Sequence, residues 1–184
     1  MPYIELKKII GLAALFSVAA LVLATATTAF ADEIAPPTLP TGCERIQVEA
    51  GNEVAFRTYA IGVQIWKWNG TSWGFVAPEA SLFADAGFHG KVGTHYAGPT
   101  WESNSGSKVV GARVDGCTPD ASDIPWLLLR KVTTDGAGIF SDVTFIQRVN
   151  TNGGIAPTTP GTTIDQIERV PYTTEYYFYK ASTN

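Results

Sequence analysis

The chain has 184 residues, 45% of them hydrophobic and 16% charged, and a formal net charge of −4. That is the length of one domain, too apolar for a disordered chain. With 13 basic residues against 17 acidic ones, it is also too poor in cations for a protein that binds nucleic acid by neutralising phosphates. Two Cys and two His leave little for a multi-ligand metal site, and no cofactor is expected.

Lys7 and Lys8 precede an apolar run from Ile9 to Ala24, and Ala29-Phe30-Ala31 places small residues at −3 and −1 before Asp32. This is the pattern of a secretory leader, so residues 1–31 are read as a signal peptide rather than a spanning anchor. Cleavage leaves 153 residues carrying 11 basic and 16 acidic side chains, a net charge of −5, with no stable membrane anchor. The expected location is secreted, periplasmic or cell-surface. In such a compartment Cys43 and Cys117 read as one structural disulfide, with no C-x-x-C spacing to suggest redox work. The loop it closes, 75 residues counting both ends, corresponds to an upper figure of roughly 4.5 kcal/mol. Residues 32–53, with Pro36, Pro37 and Pro40, form a Pro-rich N-terminal arm; residues 54–184 form a β domain.

Beyond the arm no stretch of eleven residues keeps a helical period, and Gly and Pro punctuate at short intervals. Strands are predicted over 54–60, 63–68, 71–76, 93–96, 100–103, 107–114, 126–133, 140–150 and 174–181, with a long loop over 151–163. About eight strands joined mostly by short loops imply one all-β antiparallel domain, either a sandwich or a flattened up-and-down barrel. The run Trp126-Leu127-Leu128-Leu129 suggests a strand covered on both faces. Asn69-Gly70 is a hairpin turn, and a two-residue loop would set Trp66 opposite Trp73. Gln64, Trp66, Trp68, Trp73 and Phe75 then share a face. Such a face is core in the ordinary case and a platform for sugar rings in the rarer one.

None of the G-x-S-x-G, H-E-x-x-H, P-loop or dinucleotide fingerprints occurs. The densest chemistry lies in Gly93–Glu102, where His95, Trp101 and Glu102 flank the Gly98-Pro99 bend. These three are the candidate ligand-binding residues: Trp101 to stack, His95 and Glu102 to hydrogen-bond. With net charge −5, the ligand expected there is neutral or cationic, a small molecule or a carbohydrate. Arg148 reads as half of a buried pair with a carboxylate, Glu102 as a partner for Lys108, and His89 beside Asp85 as solvated.

Gly62-Val63-Gln64-Ile65-Trp66, Val76-Ala77-Pro78-Glu79-Ala80, His95-Tyr96-Ala97-Gly98-Pro99-Thr100-Trp101-Glu102, Ile124-Pro125-Trp126-Leu127-Leu128 and Ile146-Gln147-Arg148-Val149-Asn150-Thr151 resemble the ordered motifs of the DUF3455 family. Val170-Pro171-Tyr172-Thr173 extends the likeness, which spans about Ala55 to Lys180. The resemblance implies one exported domain and brings no catalytic residues with it. The reading that follows is a disulfide-stapled β domain that binds without catalysis in the envelope or at the cell surface. Its alternative is a small secreted hydrolase using His95 and Glu102 together.

Overall fold

The computed structural model describes residues 34–183; the signal peptide expected over residues 1–31 lies outside them. Eight strands follow one another: β1 (Asn52–Trp68), β2 (Trp73–Phe83), β3 (Lys91–Tyr96), β4 (Thr100–Ser103), β5 (Lys108–Cys117), β6 (Trp126–Asp135), β7 (Val143–Gly153) and β8 (Ile167–Ala181). Each pairs antiparallel with the next, and β8 returns to pair with β1 along nearly its whole length. The expected choice between sandwich and barrel resolves to one sheet closed into a ring in up-and-down order. It is not a regular barrel, because bulges shift the register between β1 and β2, β2 and β3, β5 and β6, β7 and β8, and β8 and β1.

Several strand limits differ from expectation. The two segments read over 54–60 and 63–68 are one strand, with Gly62 still paired to Ala80. β2 runs on past Pro78 to Phe83, although proline lacks the N–H a ladder needs. The ladder between β2 and β3 begins only at Ala80, so Pro78 sits where β2 has β1 on one side and no partner on the other. β7 extends to Gly153 and β8 starts at Ile167, which moves the long loop to 154–166.

The Asn69-Gly70 hairpin is present, but its register is corrected. Asn69 Oδ1 accepts the backbone N–H groups of Thr71 and Ser72, each at 2.9 Å, and Asn69 N–H donates to Ser72 O. The loop therefore has four residues, and Trp68 stands opposite Trp73 while Trp66 stands opposite Phe75. Ring centroids are 5.4 Å apart in the first pair and 5.5 Å in the second. The rings are tilted rather than coplanar, and loop 154–166 packs on them: Trp66 Nε1–H donates to Gly154 O and Trp73 Nε1–H to Thr159 O.

Alternation along the strands sorts side chains between two hydrophobic clusters. Inside the ring lie Ala60, Leu82, Trp101, Val109, Leu129, Ile146, Tyr176 and Phe178. Outside lie Leu128, Phe145, Val149, Tyr177 and Tyr179, covered by Cys43, Ile46 and Val48 of the N-terminal segment. Leu128 and Leu129 thus face opposite clusters, and this strand is covered on both sides. The cover is fastened twice. Cys43 is bonded to Cys117 at the end of β5, with Cα atoms 5.4 Å apart. Gln147, fully buried on the outer face, donates from Nε2 to Ile46 O at 2.7 Å and accepts the Tyr179 hydroxyl at Oε1.

Candidate functional site

β3 and β4 are the two shortest strands, with six and four residues. Their neighbours outrun them. β2 from Trp73 to Glu79 pairs only with β1, and β5 beyond Gly111 pairs only with β6. The ring is therefore open on one side, between β2 and β5, above the Ala97-Gly98-Pro99 turn. Gly98 takes φ +97° there, a left-handed conformation suited to a residue without Cβ.

A cavity of about 260 Å³ lies in this opening. Phe75, Val76 and Pro78 of β2 form one side, and Arg113 of β5 the other. The floor is His95 and Trp101, and the back wall is Leu127, Leu129, Arg148 and Tyr176. A second lobe shares Phe75, Arg113, Leu127 and Arg148, and adds Gln64, Trp66 and Ile124. Gly111 faces the floor; a Cβ there would stand 3.2 Å from Trp101 Cζ3 and 3.3 Å from Leu129 Cβ, so its absence leaves room for the indole.

The three candidate residues of the β3–β4 hairpin part company. His95 pairs with Trp101 across the hairpin, and both point inward, 3% and 1% exposed. Their rings stack with centroids 4.3 Å apart and planes 14° apart, and Tyr176 meets both edge-on. Glu102, one residue on, points outward. Its Oε2 accepts the Tyr96 hydroxyl at 2.7 Å and its Oε1 lies 3.5 Å from Lys108 Nζ, the ion pair expected across the turn. That hydrogen bond raises the Tyr96 hydroxyl above its ordinary pKa. The structure brings His95 and Trp101 together and puts Glu102 on the other face of the sheet.

Burial pulls His95 down to about 3, against the hold of its hydrogen bond to Thr100 O, with the charge of nearby Arg148 acting in the same direction as burial. The ring is neutral at physiological pH. Its Nδ1 lies 2.8 Å from Thr100 O, a carbonyl that can only accept, so Nδ1 carries the proton and Nε2 is an unprotonated acceptor. Such a nitrogen is well suited to receive a donor and poorly suited to take a proton from substrate at neutral pH.

Arg148 has no carboxylate partner among the described residues, which corrects the expected pairing. Nε and Nη2 both donate to Pro125 O, at 3.1 and 2.7 Å. An inward-pointing arginine on β7 follows from its neighbour: Gln147 faces out to the arm, so alternation turns Arg148 in. Among buried side-chain atoms, Thr58 Oγ1, Gln64 Nε2 and Trp101 Nε1 have no hydrogen-bond partner, while the hydroxyls of Tyr172 and Tyr176 lie beside each other, next to Gln64 and Arg148 respectively. Burial pushes both tyrosines above their ordinary pKa, so they stay protonated donors.

Elsewhere several titratable groups pair with one another on the surface. Glu79 meets Arg169 at 2.8 Å, and His89 lies 3.2 Å from Asp85 in an exposed loop. No group of three or more His, Cys, Asp or Glu side chains placed to hold a metal occurs among the described residues. Sequence reasoning missed Arg113, Arg148 and Tyr176 as cavity residues. The available signal was parity: Arg148 stands two residues from inward-facing Ile146, in a strand whose neighbours Phe145, Ile146 and Val149 are apolar.

Comparison with curated proteins and with solved structures finds no match for the chain. The model of a family described as a protein of unknown function, DUF3455, matches residues 49–180 and so covers the ring from before β1 into the end of β8; the chain belongs to that family.

Proposed function

We propose that this is an exported binding domain that takes a small, largely apolar ligand into the β2–β5 cavity and releases it unchanged. The carrying observation is the cavity itself. At the flank between β2 and β5 the ring has a cavity of about 260 Å³ walled mainly by aromatic and aliphatic side chains with a few convergent polar groups. That is the usual make-up of a small-molecule site, and the mouth of a closed sheet is a usual place for one. The disulfide agrees with an oxidising compartment and supports reading residues 1–31 as a leader.

Binding is favoured over the small-hydrolase alternative on two grounds. A general acid–base pair must share a substrate, and His95 and Glu102 face opposite sides of the sheet. His95 also holds a proton too weakly at neutral pH to work as a base. Trp101, on the floor, makes occupancy visible. A neutral solvatochromic dye should bind to the mature domain, quench its tryptophan emission, and lose affinity at least tenfold in Val76→Trp, which fills the opening from an exposed position. Equal dye binding by Val76→Trp would place the dye elsewhere and overturn the reading. The leader is checked by mass: the protein recovered from an exporting host should begin at Asp32, and intact Met1 refutes cleavage.

A further inference from the structure

We infer that the natural occupant of the β2–β5 cavity is a compact aromatic or aliphatic carboxylate, its apolar body against Trp101 and Leu127 and its carboxylate on the guanidinium of Arg148, with Arg113 as the second cation at the mouth. The inference rests on the binding reading above and adds the chemical class of the ligand.

Charge distribution carries it. Ion pairs occupy Arg57, Lys67, Lys108, Arg130, Arg169 and Lys180; of the described Lys and Arg outside them, Arg45, Lys91 and Lys131 are exposed, whereas Arg113 and Arg148 line the cavity. Both stand in the wall shared by the two lobes of the cavity, and neither lobe is lined by an Asp or Glu. Arg148 is half-buried, and the groups around its guanidinium are neutral: Nε and Nη2 donate to the Pro125 carbonyl, and the Tyr176 hydroxyl lies beside it. A carbonyl orients a guanidinium without neutralising it. A half-buried cation without an anion is costly, and the planar fork of arginine fits a carboxylate with two parallel hydrogen bonds.

A second observation points the same way. Trp101 Nε1 is a buried donor without a partner, and its side chain lines the same cavity as Arg148. Orphaned buried donors call for an acceptor that arrives with a ligand or a water. Donors and cations prevail at this end of the ring, with His95 Nε2 as the opposing acceptor, and the ligand best matched to that balance is an anion. The whole-molecule charge suggested a neutral or cationic ligand. That charge, however, resides in surface carboxylates, and beyond a Debye length of about 8 Å in physiological salt it decides little inside a cavity.

The test is isothermal titration at pH 7 with three probes that share one phenethyl body: 3-phenylpropionate, its isosteric primary amide, and the smaller phenethylamine. The acid should bind at least tenfold tighter than the amide, and the amine should bind weakest. Arg148→Met should bring the acid-to-amide ratio close to one. Arg113→Met, at an exposed position that the fold does not need, should cut acid affinity several-fold and leave the amide unchanged. If Arg148→Met does not fold, Arg148→Lys carries the test, since it keeps the charge and loses the fork, and the ratio should fall by at least threefold. Equal affinities for acid and amide, preference for the amine, or a ratio unmoved by the Arg113 and Arg148 variants would each overturn the inference. The neutral dye separates the two readings. Dye binding that remains sensitive to Val76→Trp, with no preference for the acid, removes the carboxylate and keeps the cavity; loss of that sensitivity removes both.

Discussion

The two ends of the ring are built on different rules. Around Phe56, Phe140 and Phe178 the interior is closed by stacked and tilted aromatic rings with centroids 4.6 to 5.5 Å apart, and Phe140 and Phe178 are at most 2% exposed. The loop between β6 and β7 brings Phe140 there as a plug, and the Phe140 backbone N–H donates to the buried hydroxyl of Ser107. At the other end Gln64, His95, Arg113, Arg148 and Tyr176 line the cavity, and Gln64 Nε2 and the neighbouring Trp101 Nε1 are buried without a hydrogen-bond partner. A single eight-stranded sheet thus has one end packed for stability and one end left imperfect. Imperfection of that kind is where function is expected, because buried polar groups without partners are selected against when they serve nothing.

The contrast breaks first at the plug. Phe178→Ala should cost about 3–5 kcal/mol in chemical denaturation, the toll of a large aromatic cavity, while Leu127→Ala, half-buried at the open end, should cost only about 1 kcal/mol. Similar losses at both sites would erase the distinction. The next effect is pH. His95 has a folded pKa of about 3 against 6.5 in the unfolded chain, so its protonation favours unfolding. Its contribution is complete above pH 6.5 and is lost as pH falls toward 3, at up to about 1.4 kcal/mol per pH unit. His95→Phe should flatten that slope between pH 6 and 4; an unchanged slope would show that His95 is not the proton-excluding group.

Gly111→Ala gives a smaller and sharper comparison. The added Cβ crowds Trp101 and Leu129 from beneath, and we expect a loss of about 1 kcal/mol together with weaker dye binding. A variant that loses stability but binds dye as before would detach the floor from the site. The smallest effect belongs to Glu102→Gln. Its ion pair to Lys108 is partly exposed and worth under about 1 kcal/mol, so the melting temperature should move by no more than about 2–4 °C. Cavity binding should not change. If Glu102→Gln abolishes it, the two faces of the hairpin are coupled in a way the geometry does not provide.

Much of this was legible in the chain. The strand-and-turn punctuation predicted an antiparallel domain of about eight strands, and two cysteines in a chain read as exported predicted their pairing. What escaped did so for local reasons. Asn69-Gly70 announced a hairpin, but the Asn69 side chain captures two backbone N–H groups and lengthens the loop, which shifts Trp73 from Trp66 to Trp68. Tyr176-Tyr177-Phe178-Tyr179 shows no alternation because the N-terminal segment covers the face that would otherwise be wet. His95 and Glu102 looked like partners because they are near in sequence. A three-residue turn at 97–99 already sets His95 against Trp101, and the residue after Trp101 must then face away. Parity, rather than proximity, decides which side chains of a hairpin can work together.

Closure by the last strand has a consequence for how the molecule is made. β1 pairs with β8 over most of its length, so the first strand synthesised waits for the last. Until Ile167–Ala181 arrives, β1 and β7 are bare edges, each a template for another chain. Contacts so distant in sequence make folding slow, and slow folding prolongs that exposure. A chain truncated within β8 should therefore fail by sticking to its own copies through β1 and β7, long before the cavity or the disulfide is at issue.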